Sequence, residues 1–196
     1  DPSGNYFVMG SNTAQYPAID LTGFSSINLV TDSDDTTVPV DHLVRIVTYP
    51  DAYIVGRGGD GGNADMPAQA GTDGLAGGDA ILQGPNLKIY IENYGYIAGG
   101  GGGGGAGGVT MQIDPATNTV SSEFTNYSGS AGGGGAGFPA GDPGSTRSAV
   151  TKAATGGNLI DGGEGATPDI VSTHNSRVEG GNAGHLGAMG MGGGMN

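Results

Sequence analysis

Residues 94–108 read YGYIAGGGGGGGAGG. A short apolar stretch, Tyr96-Ile97-Ala98, runs straight into seven consecutive glycines: Gly99, Gly100, Gly101, Gly102, Gly103, Gly104 and Gly105. A flexible linker is the simplest explanation of such a run. The spacing of glycine in the rest of the chain argues against it.

Glycine supplies 44 of the 196 residues and proline 10. The glycines are unevenly placed, with 3 before residue 56 and 41 from there on. Glycine-rich tracts cover roughly 56–63, 71–79, 99–108, 132–144, 156–165 and 180–194. Within them glycine often recurs at every third residue, as at Gly56, Gly59 and Gly62, at Gly71, Gly74 and Gly77, and from Gly181 through Gly184, Gly187 and Gly190 to Gly193. A period of three belongs to an extended left-handed helix of the polyproline II type, with three residues per turn and about 3.1 Å of rise. Each face then carries every third residue. In GRGGDGGN (56–63), Arg57, Asp60 and Asn63 share one face and glycine fills the others. In GNLIDGGEG (157–165), Asn158, Asp161 and Glu164 do the same.

The heptaglycine has no side chain on any face, which predicts a structural core element at the centre of the packed tracts. Such helices make no internal hydrogen bonds, yet buried N–H and C=O groups must be paired. The partners must therefore be neighbouring tracts. The entropic cost, about 0.5–1 kcal/mol per glycine relative to alanine, has to be offset by that packing. Collagen is the rival explanation of period three, but it needs long unbroken Gly-X-Y rich in proline. The longest series here is five triplets without proline.

Residues 1–50 read as a small all-β region. SSINLV (25–30), HLVRIV (42–47) and AYIV (52–55) are rich in β-branched and aromatic residues and are separated by the turn-rich TDSDDTTVP (31–39) and YPD (49–51). AILQ (80–83) and NLKIYIENYGYIAG (86–99) resemble them, and Leu87, Ile89 and Ile91 alternate with Lys88, Tyr90 and Glu92 as in a half-buried strand. STRSAVTKAAT (145–155) is the nearest candidate for a helix. The expected fold is thus an all-β part over 1–50 followed by a domain of packed polyglycine II helices over 51–196, with little or no α-helix.

Several function classes are excluded or weakened. With no cysteine there is no disulfide framework and no thiolate metal site. A net charge of -13 argues against nucleic acid or anionic membrane as a partner. No apolar run approaches the roughly 20 residues that span a bilayer. His42, His174 and His185 form no catalytic constellation with the available nucleophiles, and no cofactor motif is present. GRGGDGG matches dinucleotide-site offsets only superficially, since no helix follows it. Asp32, Asp34 and Asp35 read as a solvated acidic turn rather than a calcium site, and no catalytic metal is expected.

The sequence resembles the tail fibre adhesins of T-even-like bacteriophages. The residues that carry the resemblance are YIVGRGGDGGN (53–63), ENYGYIAGGGGGGGAGG (92–108), AGGGGAGFPAGDPG (131–144) and GGNAGHLGAMGMGGG (180–194). It covers about residues 50–196, and residues 1–50 carry no matching fibre-attachment motif, so the same module on another phage tail protein also fits. The resemblance implies a sandwich of polyglycine II helices whose variable loops bind a bacterial surface receptor, an outer-membrane protein or a surface glycan. It implies a place in the virion, at the distal tail fibre or tail tip, with another phage tail protein held through the N-terminal part.

The variable stretches supply candidate receptor-binding residues of the kind that anchor interfaces. They are Phe124 and Tyr127 in 109–130, Arg147 and Lys152 in 145–155, and His174, Asn175 and Arg177 in 166–179. If successive tracts alternate in direction, 109–130 and 166–179 emerge at one end and 145–155 at the other, making the first and third the core pair. The rival functions are a rigid virion or surface spacer without receptor binding and an ice-binding or calcium-dependent adhesin. Ice binding would call for threonine arrays, which are absent.

Overall fold

The computed structural model describes residues 7–10, 17–23, 28–30, 37–39, 43–64, 71–85, 87–107, 113–114, 119–120, 130–146, 150–168, 178–192 and 194–195. Among them there is no helix. Residues 145–155, the nearest helix candidate, contain a β-strand at Val150–Lys152 instead.

The first half is a stack of parallel strands. β1 (Phe7–Met9), β6 (Ala52–Val55) and β9 (Tyr96–Ala98) lie side by side, all parallel. β2 (Ile19–Leu21) pairs in parallel with β7 (Ile81–Gln83), and β5 (Leu43–Thr48) with β8 (Lys88–Asn93). β3 (Asn28–Val30) and β4 (Thr37–Pro39) form an antiparallel pair, so part of the expected turn at 31–39 is strand. The chain passes three times through equivalent positions: β1 then β2, β5–β6 then β7, and β8 then β9. Three parallel pairings therefore cross the boundary drawn at residue 50. β8 departs from clean alternation, since Ile91 is 45% exposed while Glu92 is half-buried. Glu92 accepts from the Arg45 guanidinium on β5 at 2.6 Å, a diagonal cross-strand ion pair.

The strands run directly into the glycine tracts. Tyr53, Ile54 and Val55 face Tyr96, Ile97 and Ala98 in register. The two tyrosine rings stack at 4.6 Å and 4°. The same register then continues beyond the sheet at every third residue: the N–H groups of Gly56, Gly59 and Gly62 donate to the carbonyls of Ala98, Gly101 and Gly104. The apolar leads YIV and YIA thus align two glycine tracts before those tracts begin.

Each tract exchanges hydrogen bonds with several neighbours, and the partner changes at each residue and returns after three. From the 99–107 run, Gly100, Gly103 and Ala106 donate to Gly78, Leu75 and Thr72. Gly101, Gly104 and Gly107 donate to Ala136, Gly133 and Ser130, while Gly102 and Gly105 donate to Ala188 and Met191. Gly102 and Gly105 accept from Gly184 and Gly181. A period of three in the partners is what a chain with three residues per turn produces. It gives the 99–107 run five described neighbours.

The most enclosed position belongs to another run, 130–138. Its N–H groups donate in three directions: Gly132, Gly135 and Phe138 to Gly62, Gly59 and Gly56; Gly133 and Ala136 to Gly181 and Gly184; Gly134 and Gly137 to Thr155 and Asn158. Its carbonyls accept in three more: Ser130, Gly133 and Ala136 from Gly107, Gly104 and Gly101; Gly132 and Gly135 from Gly144 and Gly141; Ala131 and Gly134 from Ala166 and Gly163. That makes six neighbours, and residues 131–137 are all buried. In the heptaglycine Gly101, Gly104 and Gly105 are buried, whereas Gly99, Gly100, Gly102 and Gly103 are half-buried. The centre that the sequence suggests for 99–105 is taken by 131–137, one tract over.

The apolar core is small. Among the described residues Val55 is the largest fully buried apolar side chain, and five of the nine buried hydrophobic residues are alanines. Close backbone approach takes the place of side-chain packing. A Cβ at Gly132 would lie 1.8 Å from the Gly104 carbonyl oxygen, and one at Gly104 would lie 2.0 Å from that of Gly181. At Gly102 the nearest atom is the Gly190 nitrogen at 3.1 Å, and Gly23 has nothing within 4 Å.

Two predictions follow from this geometry. Gly132→Ala and Gly104→Ala must displace backbone, so each lowers unfolding free energy by about 3 kcal/mol or more, the upper range for overpacking. Gly102→Ala retains most of its stability, and Gly23→Ala changes it by less than about 1 kcal/mol; chemical denaturation of the four variants gives the order. Tyr96→Leu, which keeps the apolar contact but removes the stacked ring, destabilises by about 0.5–1.5 kcal/mol. Tyr53→Leu in the Tyr96→Leu background then adds little.

Candidate functional site

The hydrogen-bond registers assign a direction to every run. Taking 56–64 as pointing up, 71–78 runs antiparallel to it and 99–107 parallel. The 130–138 run is antiparallel to both, and 139–146 points up again, parallel to 56–64 through Gly58 to Pro139, Gly61 to Asp142 and Ala64 to Ser145. The 155–158 run goes down and 161–166 up; 180–186 goes down and 188–192 up.

Direction alternates strictly, but three of the sequence tracts each contain two runs. The tract at 132–144 reverses at Gly137-Phe138-Pro139, where the Phe138–Pro139 peptide bond is cis and Gly137 has φ 149°. The tract at 156–165 reverses at 158–161, where the Asn158 side chain accepts from the Ile160 and Asp161 N–H groups. The tract at 180–194 reverses at 185–188, with Gly187 at φ 70°. All three reversals fall at the end that carries β6 and β9.

The intervening stretches consequently leave the scaffold at the opposite end. The chain departs at Ala64 and returns at Gly71, departs at Gly107 and returns at Ser130, departs at Thr146 and returns at Thr155, and departs at Ala166 and returns at Gly180. This corrects the expectation that 145–155 emerges apart from 109–130 and 166–179. Alternation holds, and because of the hidden reversals the described residues that bound all three stretches lie at one end. Ala64 and Gly71, which bound a segment absent from the candidate binding set, lie there too.

Short strand pairs lie within these stretches. β10 (Ile113–Asp114) and β11 (Thr119–Val120) form an antiparallel pair within 109–130. β12 (Val150–Lys152) pairs with β13 (Thr167–Pro168), joining the second and third stretches. β14 (Val178–Glu179) pairs with β15 (Gly194–Met195), and β13 lies against β14. Isolated two-residue strands give no period-two signal in a sequence, and these pairings were not legible there.

Of the candidate receptor-binding residues, Lys152 lies among the described residues. Its ammonium pairs with the Glu164 carboxylate on the 161–166 run, and both side chains are more than half exposed. Phe124, Tyr127, Arg147, His174, Asn175 and Arg177 lie outside the described residues, as do His42, Asp32, Asp34 and Asp35. The polar face inferred from period three is present over 56–63, whereas the reversal at 158–161 separates Asn158 from Asp161 and Glu164, so these three do not share one face of a single run. Arg57 and Asp60 form an ion pair at 2.9 Å along one face. The Asp60 carboxylate and the Asn63 side-chain carbonyl also accept from the backbone N–H groups of Asp142 and Ser145 on the adjoining run. Asn158, Asp161 and Glu164 are all exposed. His185 pairs with Asp161 at 3.2 Å, across two reversals at the strand end. Among the described residues no three His, Cys, Asp or Glu side chains are grouped to hold a metal ion. No helix among them is long and apolar enough to cross a membrane.

The described runs are joined by hydrogen bonds to their neighbours, and their residues group no metal ligands. No curated protein sequence matches. The fold is similar to a chain in the crystal structure of the gp37-gp38 adhesin tip complex of the bacteriophage S16 long tail fiber, with a TM-score of 0.50 and 22% sequence identity. The match covers 96% of this chain and 56% of that one, so this chain spans little more than half of the other's length. A family model described as phage tail fibre adhesin Gp38 matches residues 19–196. The chain belongs to the Gp38 family of phage tail fibre adhesins.

Proposed function

We propose that this chain recognises a bacterial surface receptor at the distal end of a phage tail fibre, without catalysis, through segments carried on packed polyglycine II helices. The observation that carries this reading is that the described residues bounding these segments, Ala64 and Gly71, Gly107 and Ser130, Thr146 and Thr155, Ala166 and Gly180, all lie at one end of the packed runs. The support for polyglycine II is the three-residue return of every hydrogen-bond partner. Function on connecting segments held by a rigid frame is the usual division of labour.

In this reading Phe124, Tyr127, Arg147, His174, Asn175 and Arg177 contact the receptor, an outer-membrane protein or a surface glycan. Lys152 contributes at the margin, because Glu164 already holds its ammonium. In this reading the parallel strand stack at the other end faces the fibre, and the gp37-gp38 complex of the structural relative supports another tail protein as a partner. This polarity keeps the recognising segments clear of the attachment.

The test replaces 121–129 and 169–177, singly and together, with Gly-Ser linkers of equal length. Binding to cells of a strain that the unaltered chain recognises should fall roughly 30-fold or more, the loss of about 2 kcal/mol that removing interface anchors produces. The thermal midpoint should move by less than about 4 °C, since about 1 kcal/mol shifts a chain of this size by 2–4 °C. Undiminished binding with both segments replaced would favour a rigid spacer instead.

A further inference from the structure

The hydrogen bonds fix the order of the five described neighbours around the 99–107 run. The 71–78 run adjoins 56–64 through Leu75 and Gly78, and 56–64 adjoins 130–138 through Gly132 and Gly135. The 130–138 run adjoins 180–186 through Gly133 and Ala136, and 180–186 adjoins 188–192 through Met191. Around 99–107 the order is therefore 71–78, 56–64, 130–138, 180–186 and 188–192. The first and last of these, 71–78 and 188–192, flank the remaining side. Around 130–138 the same arrangement closes with six neighbours.

The space at each glycine shows that this side is open. Gly99 and Gly102 lie three residues apart and so share a face, and both are half-buried. Apart from chain neighbours, a Cβ at Gly99 would come no nearer than 3.4 Å to another atom. One at Gly102 would come no nearer than 3.1 Å, and the atoms it meets belong to Gly190, Met189 and Leu75, on the two flanking runs. At Gly100, Gly101, Gly103 and Gly104 an added Cβ would instead lie 1.9–2.0 Å from a backbone carbonyl oxygen. The flanks are apolar and exposed: Leu75 at 55%, Met189 at 91% and Met191 at 65%. Between them lies the Gly103 carbonyl oxygen, 2.2 Å from where a Cβ at Gly74 or at Gly190 would stand. The Gly101 and Gly104 carbonyls accept from Gly59 and Gly62, and those of Gly99, Gly102 and Gly105 from Gly187, Gly184 and Gly181. The threefold turn directs the remaining set, Gly100 and Gly103, at the open side.

We propose that this notch, floored by residues 99–103 and walled by Leu75 and Met189, docks an extended glycine-repeat segment of another tail protein as the sixth neighbour of the 99–107 run. The chemistry of the occupant follows from the geometry. It meets three runs at once, so the faces it turns to them must carry no side chain, as elsewhere around 99–107. Its N–H groups must recur at every third residue to reach the Gly100 and Gly103 carbonyls, which a chain with three residues per turn supplies. Its outward face then lies between leucine and methionine side chains, which adapt to an irregular neighbour. This inference rests on the reading that another tail protein is the partner of this chain, and it is independent of receptor binding.

The test titrates the isotope-labelled full chain with a synthetic peptide of repeated Gly-Gly-Ser triplets, followed by the amide resonances. The peptide should shift Gly77, Gly99, Gly102 and Gly190 together, with a Kd of about 1 mM or tighter. Gly102→Leu fills the notch from its floor and should weaken binding about tenfold or more. Should that variant fail to fold, Gly102→Ala occupies the same space with one carbon and should weaken binding in the same direction. A peptide of Gly-Val-Ser triplets should not bind. No shift at about 10 mM peptide, undiminished binding to the folded Gly102 variant, or equal binding of the valine peptide overturns the notch. Shifts of the same amides on raising the protein concentration alone would assign it to a second copy and overturn it as well. Tail fibres prepared without this chain separate the proposal from the reading beneath it. The unaltered chain should join them and the Gly102 variant should join them about tenfold less tightly. Equal joining overturns the notch while the tail-protein partner stands, and joining by neither overturns that partner and the notch with it.

Discussion

A chain with three residues per turn has no hydrogen-bond partner within itself. Its N–H groups point outward in three directions and its carbonyls in three more. When such a chain is buried, every one of those groups must meet a group on another chain segment, because an unpaired buried amide costs about 1–3 kcal/mol. The 130–138 run shows the full consequence, with six neighbours each receiving or supplying bonds at every third residue. Neighbours can come that near only where no Cβ intervenes, which is why an added carbon at Gly132, Gly134 or Gly135 would fall within about 2 Å of a carbonyl oxygen. The glycine content is thus a requirement of the bonding pattern and not a sign of looseness.

The other features of the molecule are arranged around that requirement. Apolar burial is modest, with alanine methyls such as Ala131, Ala136 and Ala166 filling the interior. In the 56–63 tract the larger side chains share one face, where Arg57, Asp60 and Asn63 succeed one another at intervals of three, with Asp60 and Asn63 bonded to the adjoining run. The parallel strands solve the problem of register. β6 and β9 align two tracts through in-register pairs and a stacked Tyr53–Tyr96 contact before the first inter-tract bond is made. Reversals gathered at the strand end leave the boundaries of the intervening stretches at the opposite end, so the runs themselves give the molecule a polarity.

Much of this was legible in the sequence. The strands at 43–48, 52–55, 81–83 and 88–98 carry β-branched and aromatic residues in short runs, and the glycine period of three announces the bonding period. The heptaglycine misleads about the centre. Having no side chain, it is compatible with six neighbours, but nothing in a bare run reports how many it has. The central 131–137 run looks less extreme because two alanines fit there without leaving the core. The hidden reversals were also illegible, since a turn made of glycine and proline inside a glycine tract resembles the tract. Pro139 after Phe138 is a visible punctuation, and reading it as a turn would have brought the boundaries of 109–130 and 145–155 to one end, while 166–179 joins them only through the second reversal at 158–161. The boundary at residue 50 fails to mark the strand stack, because parallel pairing joins residues more than forty positions apart.

Native-state amide hydrogen exchange tests the central claim most directly. If every N–H of the 132–138 run is bonded to a neighbouring run, all seven amides exchange slowly, with no alternation along the run and with protection close to that of global unfolding. The half-enclosed Gly99 and the exposed turn at 185–188 exchange faster. Exchange of the 132–138 amides at rates typical of an unstructured chain, in a protein that is otherwise folded, would contradict the account.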